Sequence, residues 1–221
     1  MTLKIKMKKL TNKRGINNNK STNKEEENEN PFLKEMKEEL KNNMKNFYTG
    51  EDNKLDKTIQ LLNMLQLSST IKILKSDNIP IEIIPHLYLG SIGSASNLKE
   101  LQKSKITHIV CCGANIKNFF PDKFKYFNIP ILDSDKEDIK KYFETSYKYI
   151  DEAIHNKGIV LVHCHAGVSR SASFVIAYIM KSQKKKYDEA LDIVKSKRNK
   201  INPNPGFTQQ LKEYEKELNI V

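Results

Sequence analysis

The run His163-Cys164-His165-Ala166-Gly167-Val168-Ser169-Arg170-Ser171 places a thiol, a glycine and an arginine within nine residues. An apolar stretch, residues 158–162, comes directly before it, and another, 172–180, directly after. That pattern predicts a strand, a tight loop and a helix. The amides of such a loop, from His165 through Ala166, Gly167, Val168 and Ser169, together with the helix N-terminus, form a socket for a phosphate dianion. Gly167 lets the backbone turn closely, and Arg170 offers a planar fork to two phosphate oxygens. Cys164 lies at the mouth of this positive field. A free thiol is only a few per cent thiolate at neutral pH, and a helix N-terminus or a nearby cation favours the thiolate. The chemistry implied is attack of a thiolate on phosphorus. An inert core cysteine would need neither the glycine nor the arginine at these spacings.

This nine-residue run resembles the active-site loop of the cysteine-dependent protein tyrosine phosphatases, with pattern His-Cys-five residues-Arg-Ser/Thr. Its Ala-Gly-Val-Ser interior is similar to the dual-specificity branch. The resemblance extends from about Asn78 to Leu218. Pro85-His86-Leu87-Tyr88-Leu89-Gly90-Ser91, Ala95-Ser96-Asn97 and Pro203-Asn204-Pro205-Gly206-Phe207 resemble further stretches of that family, with a plant-type flavour. The resemblance implies a protein phosphatase acting on phosphotyrosine and phosphoserine/threonine through a cysteinyl-phosphate intermediate. Its partners would be phosphorylated proteins, protein kinases among them. It implies no metal or organic cofactor, and no second pair of ligands at zinc spacing accompanies either loop histidine.

The departing oxygen needs a proton donor. Asp133, Asp135 and Asp138 all follow a candidate strand; the family's acid lies on the loop after this strand, and Asp133 is the matching position. Asp138 reads as the cap of a helix beginning at Ile139. The Ser171 hydroxyl can donate to the sulfur or cap the helix. His163 reads as a partner that orders the loop, and the His165 side chain as part of its rim. Cys111-Cys112 reads as the end of a buried strand, with a disulfide to Cys164 as the sharper alternative. Lys197-Arg198 reads as a solvated basic rim.

Those residues must be positioned by an α/β fold: a central, mostly parallel sheet flanked by helices, inferred from strands alternating with helices after residue 78. Strands are expected at 81–84, 87–89, 106–112, 125–131 and 158–162, and helices at 97–103, 139–156, 171–182, 187–197 and 206–219. Residues 77–221 form the expected catalytic domain. An amphipathic helix at 53–76 packs on it. Residues 1–52 form an extension, basic and Asn-rich at its start, holding a helix at 32–47 that is marginal alone or forms on a partner.

The chain has 221 residues and a formal charge of +11, with eight Lys or Arg and no acid in its first 24 residues. That basic run reads as a disordered, solvated tail, and the mixed charge elsewhere requires no nucleic acid. No apolar run approaches the length of a membrane-spanning helix, and no signal-peptide core opens the sequence. Three cysteines, two of them adjacent, make no disulfide framework; a cytosolic or nuclear location is expected. The absence of Trp argues against the larger tyrosine-specific branch, whose acid loop carries Trp-Pro-Asp. Two other functions remain open at this point. One is a phosphoinositide or RNA 5′-phosphatase on the same scaffold, which the uncharged loop interior disfavours. The other is a phosphate-binding pseudophosphatase, which the intact Cys164, Asp133 and Arg170 disfavour.

Overall fold

The computed structural model describes residues 30–49 and 54–219. The basic run at 1–24 lies outside them, and with it the expectation of disorder there. Among the described residues, no helix is long and apolar enough to cross a membrane.

Five strands form one sheet in the order β1-β2-β5-β3-β4. They are β1 (Ile81–Ile84), β2 (Leu87–Gly90), β3 (His108–Cys112), β4 (Lys125–Ile129) and β5 (Val160–His163). Only β1 runs antiparallel, as the edge partner of β2; β2, β5, β3 and β4 are parallel. Alternation along the strands serves both faces. Val110, Cys112, Val160 and Val162 face the larger core cluster. Ile109 and Leu161 face a smaller one with Leu101, Ile106 and Phe124. β4 stops at Ile129, two residues short of the expected end. Pro130 has no N–H to continue the ladder.

The helices are α1 (Pro31–Thr49), α2 (Lys54–Ser76), α3 (Ile92–Ala95), α4 (Leu98–Lys103), α5 (Phe143–His155), α6 (Arg170–Gln183), α7 (Tyr187–Lys197) and α8 (Pro205–Glu217). The helix expected from Ile139 starts instead as a 3-10 turn at Lys140–Tyr142, and α5 follows. Asp138 accepts from Lys141 N at 3.4 Å, but Ile139 N and Lys140 N are taken by Gln210 Oε1 of α8, at 2.8 and 3.0 Å. This entry is therefore capped mostly from another element. The four-residue α3 was not anticipated; Ser91 caps it by accepting from Gly93 N.

The first helix is neither isolated nor waiting for a partner. Asn30 caps it, accepting from Phe32 N, and its side-chain amide donates to Ser96 O at 2.9 Å. Leu33 is buried with Leu74 and Ile92. The Phe32 ring meets Phe119 edge-on, 4.9 Å between centroids. These anchors, Phe32 and Leu33 with Met36 beside them, outweigh the weak helix propensity of its Asn-rich end.

Candidate active site

β5 delivers Cys164 to the C-terminal edge of the sheet, where open parallel sheets place ligands. α6 begins six residues later. Gly167 adopts φ +65, and a Cβ there would run into the Gly90 carbonyl and the Arg198 guanidinium. Only glycine fits that turn.

Outside donors take the loop's carbonyls one after another. His165 O accepts from Ile92 N at 3.1 Å. Ala166 O and Gly167 O accept from the Arg198 guanidinium at 3.2 and 2.9 Å. Val168 O accepts from Asn202 N at 2.9 Å. In a planar trans peptide the C=O and the next N–H point in opposite directions. Four carbonyls drawn outward therefore turn the amides of Ala166, Gly167, Val168 and Ser169 inward. Gly167 N meets Cys164 Sγ at 3.2 Å.

Ser171 Oγ also donates to Cys164 Sγ, at 3.2 Å. The N-cap position of α6 belongs to Ser169, so the two uses foreseen for Ser171 reduce to the one at sulfur. Cys164 is buried to 1% exposure. The sulfur thus receives two hydrogen bonds. The buried Arg170 Nε has no hydrogen-bond partner among the described residues, a donor left for an oxyanion.

Asp133 stands on the loop after β4, with Oδ2 3.5 Å from Arg170 Nε. Its Oδ1 accepts from Ser169 Oγ at 2.7 Å and from Asn204 Nδ2 at 3.0 Å. Asp133 is thereby the aspartate of the three that touches the phosphate loop. Asp135 instead lays its backbone carbonyl against Gly206, where a Cβ would collide with it.

Burial pushes the His163 imidazole down to about 4; the Cys164 carbonyl, 3.4 Å from Nδ1, opposes this and the Arg170 charge adds to it. His163 is neutral and fully buried. Burial and Arg170 also lower the pKa of His165, whose Nε2 lies 3.1 Å from Thr70 Oγ1 of α2. Cys111 and Cys112 are buried free thiols. Burial pushes Cys111 up to about 12 and Cys112 well above the usual thiol range. Cys111 pairs in register with His163, which brings the end of β3 alongside Cys164.

Sequence reasoning missed the supports. Arg198, expected in solvent, is 2% exposed and makes a bidentate pair with Asp77, at 3.0 and 2.6 Å; Lys197 is the exposed member of that pair of residues. Burial alone would raise the Asp77 carboxyl, but hydrogen bonds from Arg198 and Lys200 hold it below the usual range. Asn204 both caps α8, accepting from Phe207 N at 2.9 Å, and holds Asp133. A cap was legible at Asn204 from the Pro205 that follows. Nothing local announces that Arg198 reaches a loop some thirty residues earlier.

No cluster of His, Cys, Asp and Glu suited to a metal ion occurs among the described residues. The arrangement is a sulfur nucleophile, an oxyanion cradle and one carboxyl group beside the arginine. It can bind a phosphoryl group, accept it on sulfur and move a proton at the leaving oxygen.

Known proteins bear the same framework. The chain is 47% identical to a Protein phosphatase Slingshot homolog from Xenopus laevis over 136 residues, 62% of this chain and 20% of that protein. Dual specificity protein phosphatase 1B of Arabidopsis thaliana is 36% identical over 164 residues, 74% of this chain and 98% of its own length. The chain thus spans a fifth of one relative and nearly all of the other. Among solved structures, a human tyrosine phosphatase-like serine/threonine/tyrosine-interacting protein superposes with a TM-score of 0.62 at 44% identity, covering 63% of this chain and 97% of that one. Residues 87–217 match the family described as "Dual specificity phosphatase, catalytic domain", and the chain belongs to that family.

Proposed function

We propose that the protein hydrolyses phosphate monoesters of phosphotyrosine and phosphoserine/threonine in proteins. The observation that supports this most directly is Cys164 Sγ, hydrogen-bonded by Gly167 N and Ser171 Oγ inside a loop whose carbonyls face outward. Cys164 attacks phosphorus. The inward amides of residues 166–169 and Arg170 hold the three equatorial oxygens and offset the charge that grows there. As the ester P–O bond breaks, Asp133 protonates the leaving oxygen. Ser171 then donates to the sulfur as it leaves, while Asp133, now a carboxylate, takes a proton from the water that attacks the cysteinyl phosphate. Inorganic phosphate departs and the thiolate is restored.

His165, Ala166 and Val168 add no cation to the loop interior, which supports protein esters over polyanionic inositol headgroups. Phosphorylated proteins, protein kinases among them, are the proposed partners, met in the cytoplasm or nucleus. Turnover of an aryl phosphate, a phosphopeptide and a short-chain phosphoinositide by one preparation tests the reading. Hydrolysis of the first two at well above the rate of the third is expected. Selective hydrolysis of the phosphoinositide, or no turnover at all, overturns it.

A further inference from the structure

A second concave region opens beside the phosphate loop. α1, α2 and the loop after β3 wall a cleft of about 650 Å³ that ends at His165. It joins the site at two points. His165 is the neighbour of Cys164, and its ring is tied to Thr70 of α2. Gly113 packs against the Arg170 guanidinium, 3.1 Å from where its Cβ would lie, and Asn115, Ile116 and Lys117 of the cleft begin two residues after it. A polypeptide with its phosphorylated residue over Cys164 has this cleft beside it at His165. Each extended residue spans roughly 3.5 Å, so the neighbours within a few positions reach it.

The lining fits a peptide. Met36, Leu67, Ile92 and Phe119 give it an apolar floor. Asn43 and Asn63, one from each helix, with Gln66, present carboxamides, which donate to and accept from a peptide backbone. Two carboxylates, Glu35 and Glu39, and one cation, Lys117, complete the lining. Lys117 pairs with Glu35 at 3.4 Å and lies 4.5 Å from the Phe32 ring centroid. Its charge is offset, and Glu39 supplies the surplus. The lining thus carries one more carboxylate than cation, on a chain of formal charge +11 and beside a loop built for an anion.

We infer that the cleft is a specificity surface for phosphoprotein segments that carry a Lys or Arg within a few residues of the phosphorylated one. The basic side chain lays its methylene stem on the apolar floor and its cation against Glu39. This inference rests on the protein-phosphatase reading and adds a sequence preference to it. α1 and α2 precede the family match at residue 87, so the preference is carried by helices outside the matched catalytic domain.

The test compares three phosphopeptides, identical except for flanking Lys, Ala or Glu, with a small aryl phosphate, on the full chain and on Glu39→Lys. Glu39 is exposed, so the substitution removes no buried contact. The wild type should turn over the basic peptide with a kcat/KM about threefold to fivefold above the acidic one, the range of one exposed ion pair. The difference should fade in high salt. In Glu39→Lys the preference should vanish or reverse while aryl phosphate turnover stays unchanged. Equal kcat/KM for basic and acidic peptides in the wild type overturns the inference, as does an unaltered preference in the variant. If no substrate is hydrolysed, the catalytic reading fails by itself. Peptide binding to Cys164→Ser, followed by fluorescence anisotropy, then decides the cleft: tighter binding of the basic peptide supports it, and equal binding overturns it.

Discussion

Two stretches of this molecule both meet the phosphate loop, and they are built in opposite ways. From β5 into α6 the chain is interior: Val160 to Cys164 and Ser171 to Met180 are all buried. Such a helix, apolar on every side, is core. α2 is amphipathic. Leu67 and Leu74 are buried, while Ile59, Leu61, Leu62 and Leu65 are about half exposed or more. Yet α2 and the residue after it also touch the loop, through Thr70–His165 and Asp77–Arg198. The first stretch supplies the chemistry. The second supplies the frame, through a few polar contacts on one side of an otherwise solvated helix.

Substitutions should separate these two contributions. The largest effect is expected at Cys164→Ser: turnover falls by at least about 10⁴-fold, while circular dichroism and phosphopeptide binding persist. A hydroxyl offers no anion at neutral pH, so substantial residual activity would remove the thiolate mechanism.

Asp133→Asn should lower kcat by roughly two to four orders of magnitude. The loss should shrink as the leaving group becomes more acidic. A uniform loss across leaving groups, or a larger one at Asp135, would reassign the acid.

The frame should respond differently. Asp77→Ala leaves the buried Arg198 without its bidentate carboxylate, which should cost about 3 kcal/mol of stability in urea unfolding. Because Arg198 holds Ala166 O and Gly167 O, competitive inhibition by vanadate should weaken too. Unchanged stability would show that Lys200 and the loop carbonyls suffice without this pair.

His163 gives a smaller, pH-selective effect. Its folded value, about 4, lies below the ordinary 6.5. As pH falls from about 6.5 towards 4, the unfolded chain takes up a proton that the fold refuses. The wild type should therefore lose stability across that window, with a slope of up to about 1.4 kcal/mol per pH unit. His163→Asn should flatten that part of the urea-midpoint profile. A profile identical to wild type would mean that the buried imidazole charges without cost. The smallest effect is expected on the solvated side of α2: Leu62→Gln should change stability by no more than about 0.5 kcal/mol. A larger loss would mean that this side is covered in solution.

Cys164, Gly167, Arg170 and Ser171 lie within eight residues, and the strand and helix around them are set by apolar runs. The sequence therefore determined the loop, its chemistry and the parallel architecture that presents it. Family resemblance marked Asp133 among three nearby aspartates, and tertiary contact with Ser169, Asn204 and Arg170 distinguishes it physically. What tertiary structure alone decided is how the loop is held open. Asp77, Ile92, Arg198 and Asn202 come from segments far apart in the chain, and each acts through a backbone carbonyl or a buried pair. A carbonyl is present at every residue, so its use leaves no mark in composition or periodicity. A buried arginine reads like an exposed one until its carboxylate partner, more than a hundred residues away, is seen beside it.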